Sequence, residues 1–253
     1  MKQSVVSVRI EFCGVPASGK STLCAGALRL LRKRGHGILD RQAMVDAGLR
    51  ARNFGLLGNV LGAVVPSWRR EFLGLPHGLN EWHRFAIDHS AFVALLHRWL
   101  AEGETPEDWR SCVFYSLLTS AFEYQLLPAT KRPVLLDEGF AQRFFTLRGY
   151  RGLGKPGDAA LYASSTPLPT ALVLVATPPE ICTARVKRRE HIPLLLRRET
   201  APMLPIRFSE GNALLADLAA ELGRRGVPVL RVDGAGILES EIGKIADFAE
   251  PLM

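Results

Sequence analysis

GVPASGKS, at residues 14–21, is the stretch around which this sequence is organised, and it fits the pattern G-x-x-x-x-G-K-[ST] at every fixed position. Before it lies SVVSVRIEF, residues 4–12, in which apolar and polar side chains alternate as in a strand. After it lies TLCAGALRLLRKR, residues 22–34, whose apolar side chains recur at helical spacing. The pattern therefore stands between a predicted strand and a predicted helix, which is the context that gives it a structural meaning.

The residues of this stretch suit the binding of a polyphosphate. Gly14 and Gly19 stand where a backbone that curls around phosphates must turn and point its N–H groups inward. A helix that begins near Gly19 adds its positive N-terminal end. Lys20 is predicted to reach the β- and γ-phosphates of ATP, and the hydroxyl of Ser21 to ligate Mg²⁺. The residues predicted to bind ATP are Gly14, Ala17, Ser18, Gly19, Lys20, Ser21 and Thr22.

A second chemical feature is PVLLDEG, at residues 133–139. It is an apolar strand that delivers acidic residues at its carboxyl end, as proteins with this kind of loop use to hold Mg²⁺. Asp137 is therefore predicted to lie near the metal, together with Ser21. Glu138 is predicted to be catalytic, either in the metal shell or on the acceptor. The alternative, an ordinary strand that ends in a solvated turn, is less favoured because the loop is present.

Two other sets of charged residues follow predicted strands. Asp40 could accept a proton from an acceptor hydroxyl as a catalytic base, and a helix N-cap is an equally weighted alternative. The basic run ARVKRRE, at residues 184–190, comes after the fourth predicted strand. Arg185, Arg188 and Arg189 are predicted to neutralise a transferring phosphoryl group, whereas the alternative is a solvated basic helix.

The rest of the chain predicts an α/β fold, a parallel sheet with helices on both faces. The five predicted strands are residues 5–12, 37–40, 134–137, 171–176 and 228–232. Residues 41–132 contain no good strand and carry two helical stripes, at 82–100 and 109–124, which predict two long helices. We expect this helical insertion to supply walls for a second substrate.

Composition limits the functional classes. The 253 residues, 47% of them hydrophobic, are consistent with a single domain over residues 1–253. The longest apolar run, residues 171–176, is far too short to span a membrane, and no secretory leader is recognisable. The cysteines form no C-x-x-C pair, the six histidines have no metal-ligand spacing, and the net charge of +7 is spread along the chain apart from the basic run at residues 185–198. We therefore expect a cytoplasmic protein without a nucleic-acid or membrane partner.

Together these motifs resemble the P-loop kinases of small molecules, particularly the deoxynucleoside kinase and thymidylate kinase group. The resemblance rests on Ile10-Glu11 with the loop, on Asp137-Glu138, and on CTARVKRRE at residues 182–190 with IPL at 192–194, which is similar to their arginine-rich lid. It implies a P-loop NTPase fold with the sheet order 2-3-1-4-5, ATP as donor, Mg²⁺, and a lid at residues 185–198. The chain departs from both kinase types after the third strand, where they carry an arginine and this sequence has Glu138-Gly139.

The sequence thus predicts an ATP-dependent kinase that transfers the γ-phosphoryl group to a hydroxyl of a nucleoside-like, sugar or natural-product acceptor. Two alternatives stay open. One is a nucleoside monophosphate kinase, and the other is a P-loop ATPase switch that serves a protein partner. A GTPase is less favoured because the chain has no [NT]-K-x-D motif for reading guanine. The expected partner is a small-molecule acceptor, and a homodimer is an open option.

Overall fold

The structure, a computed structural model, describes residues 8–51, 75–102, 107–149, 154–189, 196, 200 and 202–253. Its sheet has four parallel strands in the order β2-β1-β3-β4. They are β1 (Arg9–Cys13), β2 (Val134–Leu136), β3 (Ala171–Ala176) and β4 (Val229–Asp233). The chain therefore has the predicted α/β fold with a parallel sheet flanked by helices.

The prediction of five strands, and with it the five-stranded order 2-3-1-4-5, is wrong. Residues 37–40 form one isolated parallel bridge, between Leu39 and Val134 beside β2. The pairing does not extend beyond Leu39 in either direction, because residues on both sides of Leu39 form hydrogen bonds outside the sheet. The Nε of Arg132 donates to the Gly37 carbonyl at 2.6 Å. On the other side, Asp40 accepts the backbone N–H of Ala43 at 2.8 Å, so that a helix starts at once.

Helices account for most of the remaining described residues. They are α1 (Lys20–Lys33), α2 (Arg41–Ala51), α3 (Leu75–Asp88), α4 (Ser90–Ala101), α5 (Glu107–Thr130), α6 (Phe140–Phe144), α7 (Asp158–Ser165), α8 (Pro179–Lys187), α9 (Met203–Arg224) and α10 (Leu238–Ala249). A π-helical turn, Phe145–Gly149, follows α6, and a 3-10 turn, Glu250–Leu252, follows α10. None of the described helices is long and apolar enough to cross a membrane.

The two faces of the sheet pack against different helices. On one face, Ile10 and Phe12 of β1 join a buried cluster with side chains of α1 and α10. On the other face, a larger buried cluster contains side chains from α3 to α9, including Phe140 and Tyr162. α2 packs near β2 through a small cluster around Met44. The second face of β1 carries Arg9 and Glu11, which are buried although they are charged.

The stripe at residues 82–100 is two helices, which corrects the prediction of one long helix. α3 ends at Asp88 and α4 begins at Ser90, because His89 leaves the helical region with φ −126° and ψ 42°. In a straight helix, residues 85 and 92 would lie about 10.5 Å apart along the axis. Here the ring centres of Phe85 and Phe92 lie 6.0 Å apart, and each lies 5.5 Å from the ring centre of Phe140. The break lets both rings pack on a single aromatic residue.

In residues 41–132, the described part consists largely of α2 to α5. The predicted helix start at residues 105–106 lies outside the described residues, as do residues 190–195, 197 and 198 of the predicted lid.

Candidate active site

The loop between β1 and α1 has the conformation that its glycines predict. Ala17 and Gly19 have positive φ values, 63° and 95°, and the N–H of Ser18 bonds to the Val15 carbonyl at 3.1 Å. A Cβ at Gly14 would lie 2.6 Å from the Ser18 hydroxyl, so only glycine fits there. Among the described residues no side chain caps the start of α1 at Lys20. Its first N–H groups therefore stay available to an anion.

Two backbone carbonyls of this loop accept hydrogen bonds from side chains outside it. The Thr177 hydroxyl donates to the Ser18 carbonyl at 2.8 Å. Arg185 donates to the Ala17 carbonyl at 3.2 Å and to the Gly234 carbonyl at 3.0 Å. These bonds tie the loop to the ends of β3 and β4. They fix its backbone before any ligand binds, which reduces the ordering that binding must impose.

The acidic turn after β2 lies directly opposite the loop. The Ser21 hydroxyl donates to Oδ2 of Asp137 at 3.1 Å. The Nζ of Lys20 lies 3.8 Å from Oε1 of Glu138. β1 and β2 are parallel neighbours, so both of their carboxyl ends open on the same edge of the sheet. The structure thus brings together Lys20, Ser21, Asp137 and Glu138, four of the residues for which the sequence predicted phosphate, metal or acceptor roles.

The oxygen ligands here suit Mg²⁺. This ion is usually held by one or two carboxylates together with substrate phosphates and water, and seldom by a dedicated protein cage. The described residues contain no group of three His, Cys, Asp or Glu side chains that would make such a cage. Ser21 and Asp137 supply a hydroxyl and a carboxylate in contact with each other beside the loop, which fits a metal that shares its shell with phosphates.

Asp40 adopts the helix-cap arrangement that was the alternative to a catalytic base. Its Oδ1 accepts the N–H of Ala43, and its Oδ2 pairs with Arg32 at 3.2 Å. Both carboxylate oxygens are thus engaged at the start of α2. A catalytic role for Asp40 stays an untested prediction that these contacts do not support.

The three arginines predicted to act on phosphate occupy different settings. Arg185 lies against the loop through the carbonyls of Ala17 and Gly234. Arg188 and Arg189 are exposed at the end of α8. Only Arg185 is therefore beside the phosphate loop in this structure, and contact of the other two with phosphate stays a prediction.

A pocket that the sequence did not predict lies beside the acidic turn, between β1 and α5. It encloses a space of about 10 Å³, which is room for about one water molecule, and it is partly open to solvent. Its lining residues are Arg9, Glu11, Ser120, Glu123, Tyr124, Leu127, Leu136, Gly139 and Phe140. The pocket combines aromatic faces, a hydroxyl and buried carboxylates, and a molecule larger than water could enter it only if the surrounding side chains moved apart.

Two ion pairs connect this pocket to its surroundings. Glu123 is buried and pairs with Nε of Arg41. Burial raises the pKa of Glu123, and the positive charge of Arg41 opposes that rise. The Nε of Arg143 donates to the Ser120 hydroxyl at 2.9 Å, while its Nη1 lies 3.3 Å from Glu138. Arg143 thereby links the pocket to the acidic turn.

Sequence reasoning missed Glu123, Gln142 and Arg143, and it cited Glu11 only as part of a resemblance, without a role. Charged residues at positions 9 and 11 of an otherwise apolar strand are a signal that could have indicated a buried pair. Glu123 adjoins the apolar stripe of α5, but no local pattern names its partner, Arg41, which is 82 residues away.

No family model matches the chain, and no curated protein matches it significantly. Among solved structures, the chain is similar to a deoxyadenosine kinase from M. mycoides with bound dCTP. The sequence identity is 11% and the TM-score is 0.44, with 96% of this chain and 100% of that chain covered. A deoxyadenosine kinase falls in the group that the sequence motifs resemble. At a TM-score below 0.5 this similarity carries no information about function.

Proposed function

We propose that this protein is an ATP-dependent kinase that transfers the γ-phosphoryl group to a hydroxyl of a small molecule. The observation that carries the proposal is the contact between the two motifs: Lys20 and Ser21 of the loop face Glu138 and Asp137 of the acidic turn. A loop that binds phosphate and an acidic turn at the same sheet edge are the parts that phosphoryl transfer requires.

On the donor side, the backbone N–H groups of the loop would bind the β-phosphate. The Lys20 ammonium would move from Glu138 to the γ-phosphate and stabilise the charge that spreads over its oxygens during transfer. Ser21 and Asp137 would hold Mg²⁺, which supplies charge neutralisation to the β- and γ-phosphates when it is bound.

On the acceptor side, Glu138 is the best-placed base. Its side chain is 39% exposed and lies between Lys20 and Arg143. Its carboxylate would accept the proton of the acceptor hydroxyl as the oxygen bonds to the γ-phosphorus and the bond to ADP breaks. Asp40, whose oxygens are engaged in a helix cap, is less suited to this step.

The charges around the pocket support an uncharged acceptor over a nucleoside monophosphate. Three arginines border this side, and each is paired with a carboxylate. The pairs are Arg9 with Glu11, Arg41 with Glu123, and Arg143 with Glu138. The phosphate of a phosphorylated acceptor would have to compete with these carboxylates for the three arginines. A hydroxyl compound needs only hydrogen bonds.

The test is a screen of ATP consumption over nucleosides, nucleotides, sugars and aminoglycoside-like compounds, with mass detection of the product. We expect a compound without phosphate to gain one phosphoryl group, and Lys20→Ala to abolish that gain. A nucleoside monophosphate as best acceptor would overturn the acceptor class. Hydrolysis that ignores every small molecule and increases with a protein partner would favour the ATPase switch.

A further inference from the structure

The most unusual feature outside the reacting groups is a buried ion pair on the central strand β1. The Nε of Arg9 lies 3.0 Å from Oε1 of Glu11, and the two side chains are 4% and 0% exposed. A buried pair costs desolvation, and apolar residues of similar size are often at least as stable. Such a pair in a strand that otherwise packs apolar side chains needs a reason beyond stability.

Arg9 is fixed from several directions. Its Nη2 donates to the Pro167 carbonyl at 2.8 Å. Its guanidinium lies 4.9 Å from the ring centre of Tyr124 and 5.7 Å from that of Phe140. The arginine is therefore a fixed counter-charge beside Glu11, although its Nε makes no hydrogen bond to Oε1.

The other oxygen of Glu11 holds the segment that follows the acidic turn. Its Oε2 accepts the backbone N–H of Ala141 at 2.8 Å. A Cβ at Gly139 would lie 2.2 Å from Cδ of Glu11, so the backbone passes directly over the carboxylate. Glycine at position 139 permits this close approach. Gly139 directly follows Asp137-Glu138 in the chain.

A second hydrogen bond runs in the opposite direction. The buried Gln142 presents its Oε1 to the N–H of Gly14, the first residue of the phosphate loop, at 3.0 Å. β1 thus binds the segment at Ala141, and the segment binds the loop at Gly14. Two hydrogen bonds between residues 128 and 130 positions apart in the chain join the two halves of the site.

We propose that Glu11 and Gln142 are positioning residues that set the distance between the phosphate loop and the acidic turn. In this role they keep Asp137 against Ser21 and Glu138 near Lys20. This inference rests on the proposed function, because it assigns the two residues to the same ATP and metal site.

A matched pair of double variants separates this role from simple stability. Removing Glu11 alone would leave the Arg9 charge buried and could unfold the protein. In R9M/E11Q the ion pair is gone, but an amide oxygen still accepts the Ala141 N–H. In R9M/E11L the ion pair and that acceptor are both gone. The two variants thus differ chiefly in the acceptor for the hydrogen bond.

The measurement is the affinity for ATP with Mg²⁺ and with EDTA, by calorimetry, together with amide hydrogen exchange over residues 139–144. In R9M/E11Q we expect the metal-dependent gain in affinity to stay within about twofold of wild type. In R9M/E11L it should fall about fivefold to tenfold, the effect of one lost hydrogen bond, with faster exchange at Ala141 and similar affinity in EDTA. Equal gains in the two variants would overturn the positioning role.

A second pair covers the case in which R9M/E11L does not fold. Gln142→Glu keeps an oxygen for the Gly14 N–H, and Gln142→Leu does not. We expect only the leucine variant to lose the metal-dependent gain, and equal gains would again overturn the proposal. A wild-type protein that binds no ATP in the presence of Mg²⁺ would instead refute the proposed function, before any variant is compared.

Discussion

The donor side and the acceptor side of this site are built in different ways. The phosphate loop is one continuous stretch, residues 14–21, whose shape depends on glycines and backbone hydrogen bonds. The pocket side is assembled from β1, α5 and the turn after β2, and its charges are matched in pairs between distant residues. The difference implies that removing a polar side chain from the loop should affect nucleotide binding and chemistry more than stability, whereas changes around the pocket should affect stability as well.

The largest effect is expected for Lys20→Ala. The ion pair of Lys20 with the partly exposed carboxylate of Glu138 is long, at 3.8 Å, so the loss of this pair should change stability little. Loss of a charge that stabilises the transferring group should lower turnover about 100-fold to 1000-fold. Lys33→Ala, at the opposite end of the same helix, is the control for a lysine in α1. Normal turnover in Lys20→Ala would remove the donor-site assignment.

Arg185→Ala tests the donor side through its affinity for ATP. Arg185 bonds to the carbonyls of Ala17 and Gly234, so its loss should loosen the loop before ATP arrives. We expect ATP affinity to fall about tenfold to 100-fold, as for a hydrogen bond from a charged group. The exposed Arg188→Ala is the control. Reduced turnover with unchanged ATP affinity would show instead that Arg185 acts mainly in the transition state.

Around the pocket, the two partners of one ion pair should behave differently. Arg41→Ala leaves the Glu123 carboxylate buried without its cation, which should cost up to about 3 kcal/mol of unfolding free energy. Glu123→Ala leaves an arginine that is already 42% exposed, which should cost about 1 kcal/mol. Chemical denaturation of both variants measures the difference. Equal small losses would mean that the pair contributes no more than a surface contact.

The free energy of unfolding of Arg41→Ala should also depend on pH in a defined direction. Burial raises the pKa of Glu123, and loss of Arg41 should raise it further. A carboxyl group whose folded pKa lies above its unfolded pKa stabilises the fold at low pH, and this stability is lost as the pH rises through the folded value. The stability deficit of Arg41→Ala relative to wild type should therefore shrink as the pH falls. A deficit that grows toward acid would contradict this account.

The shape of the loop and the position of Asp137 beside it can be predicted because the information for both is local. The spacing of Gly14, Gly19 and Lys20 specifies the loop, and the strand before Asp137 places that residue at the same sheet edge. The bonds from Glu11 to Ala141 and from Gln142 to Gly14 join residues about 130 positions apart, and no local pattern encodes them. The break at His89 and the loss of a strand at residues 37–40 likewise depend on tertiary partners, Phe140 and Arg132.

The smallest effect is expected for Asp40→Asn. Asparagine caps a helix about as well as aspartate, so the bond to the Ala43 N–H should persist. We expect turnover within about twofold of wild type, and Asp40→Ala to lose about 1 kcal/mol of unfolding free energy. A large fall in turnover for Asp40→Asn, with stability intact, would restore Asp40 as the catalytic base.

The central claim is that the loop and the acidic turn act together on a metal-bound phosphate, and ATP titration with and without Mg²⁺ tests it most directly. Asp137→Asn should lose most of the metal-dependent gain in affinity while its affinity in EDTA stays unchanged. Asp233→Asn, which alters an acidic residue at the end of β4 whose oxygen accepts the Ala235 N–H, is the matched control and should keep that gain. If wild type and Asp137→Asn show the same gain with Mg²⁺, the two motifs do not form one site and the account is wrong.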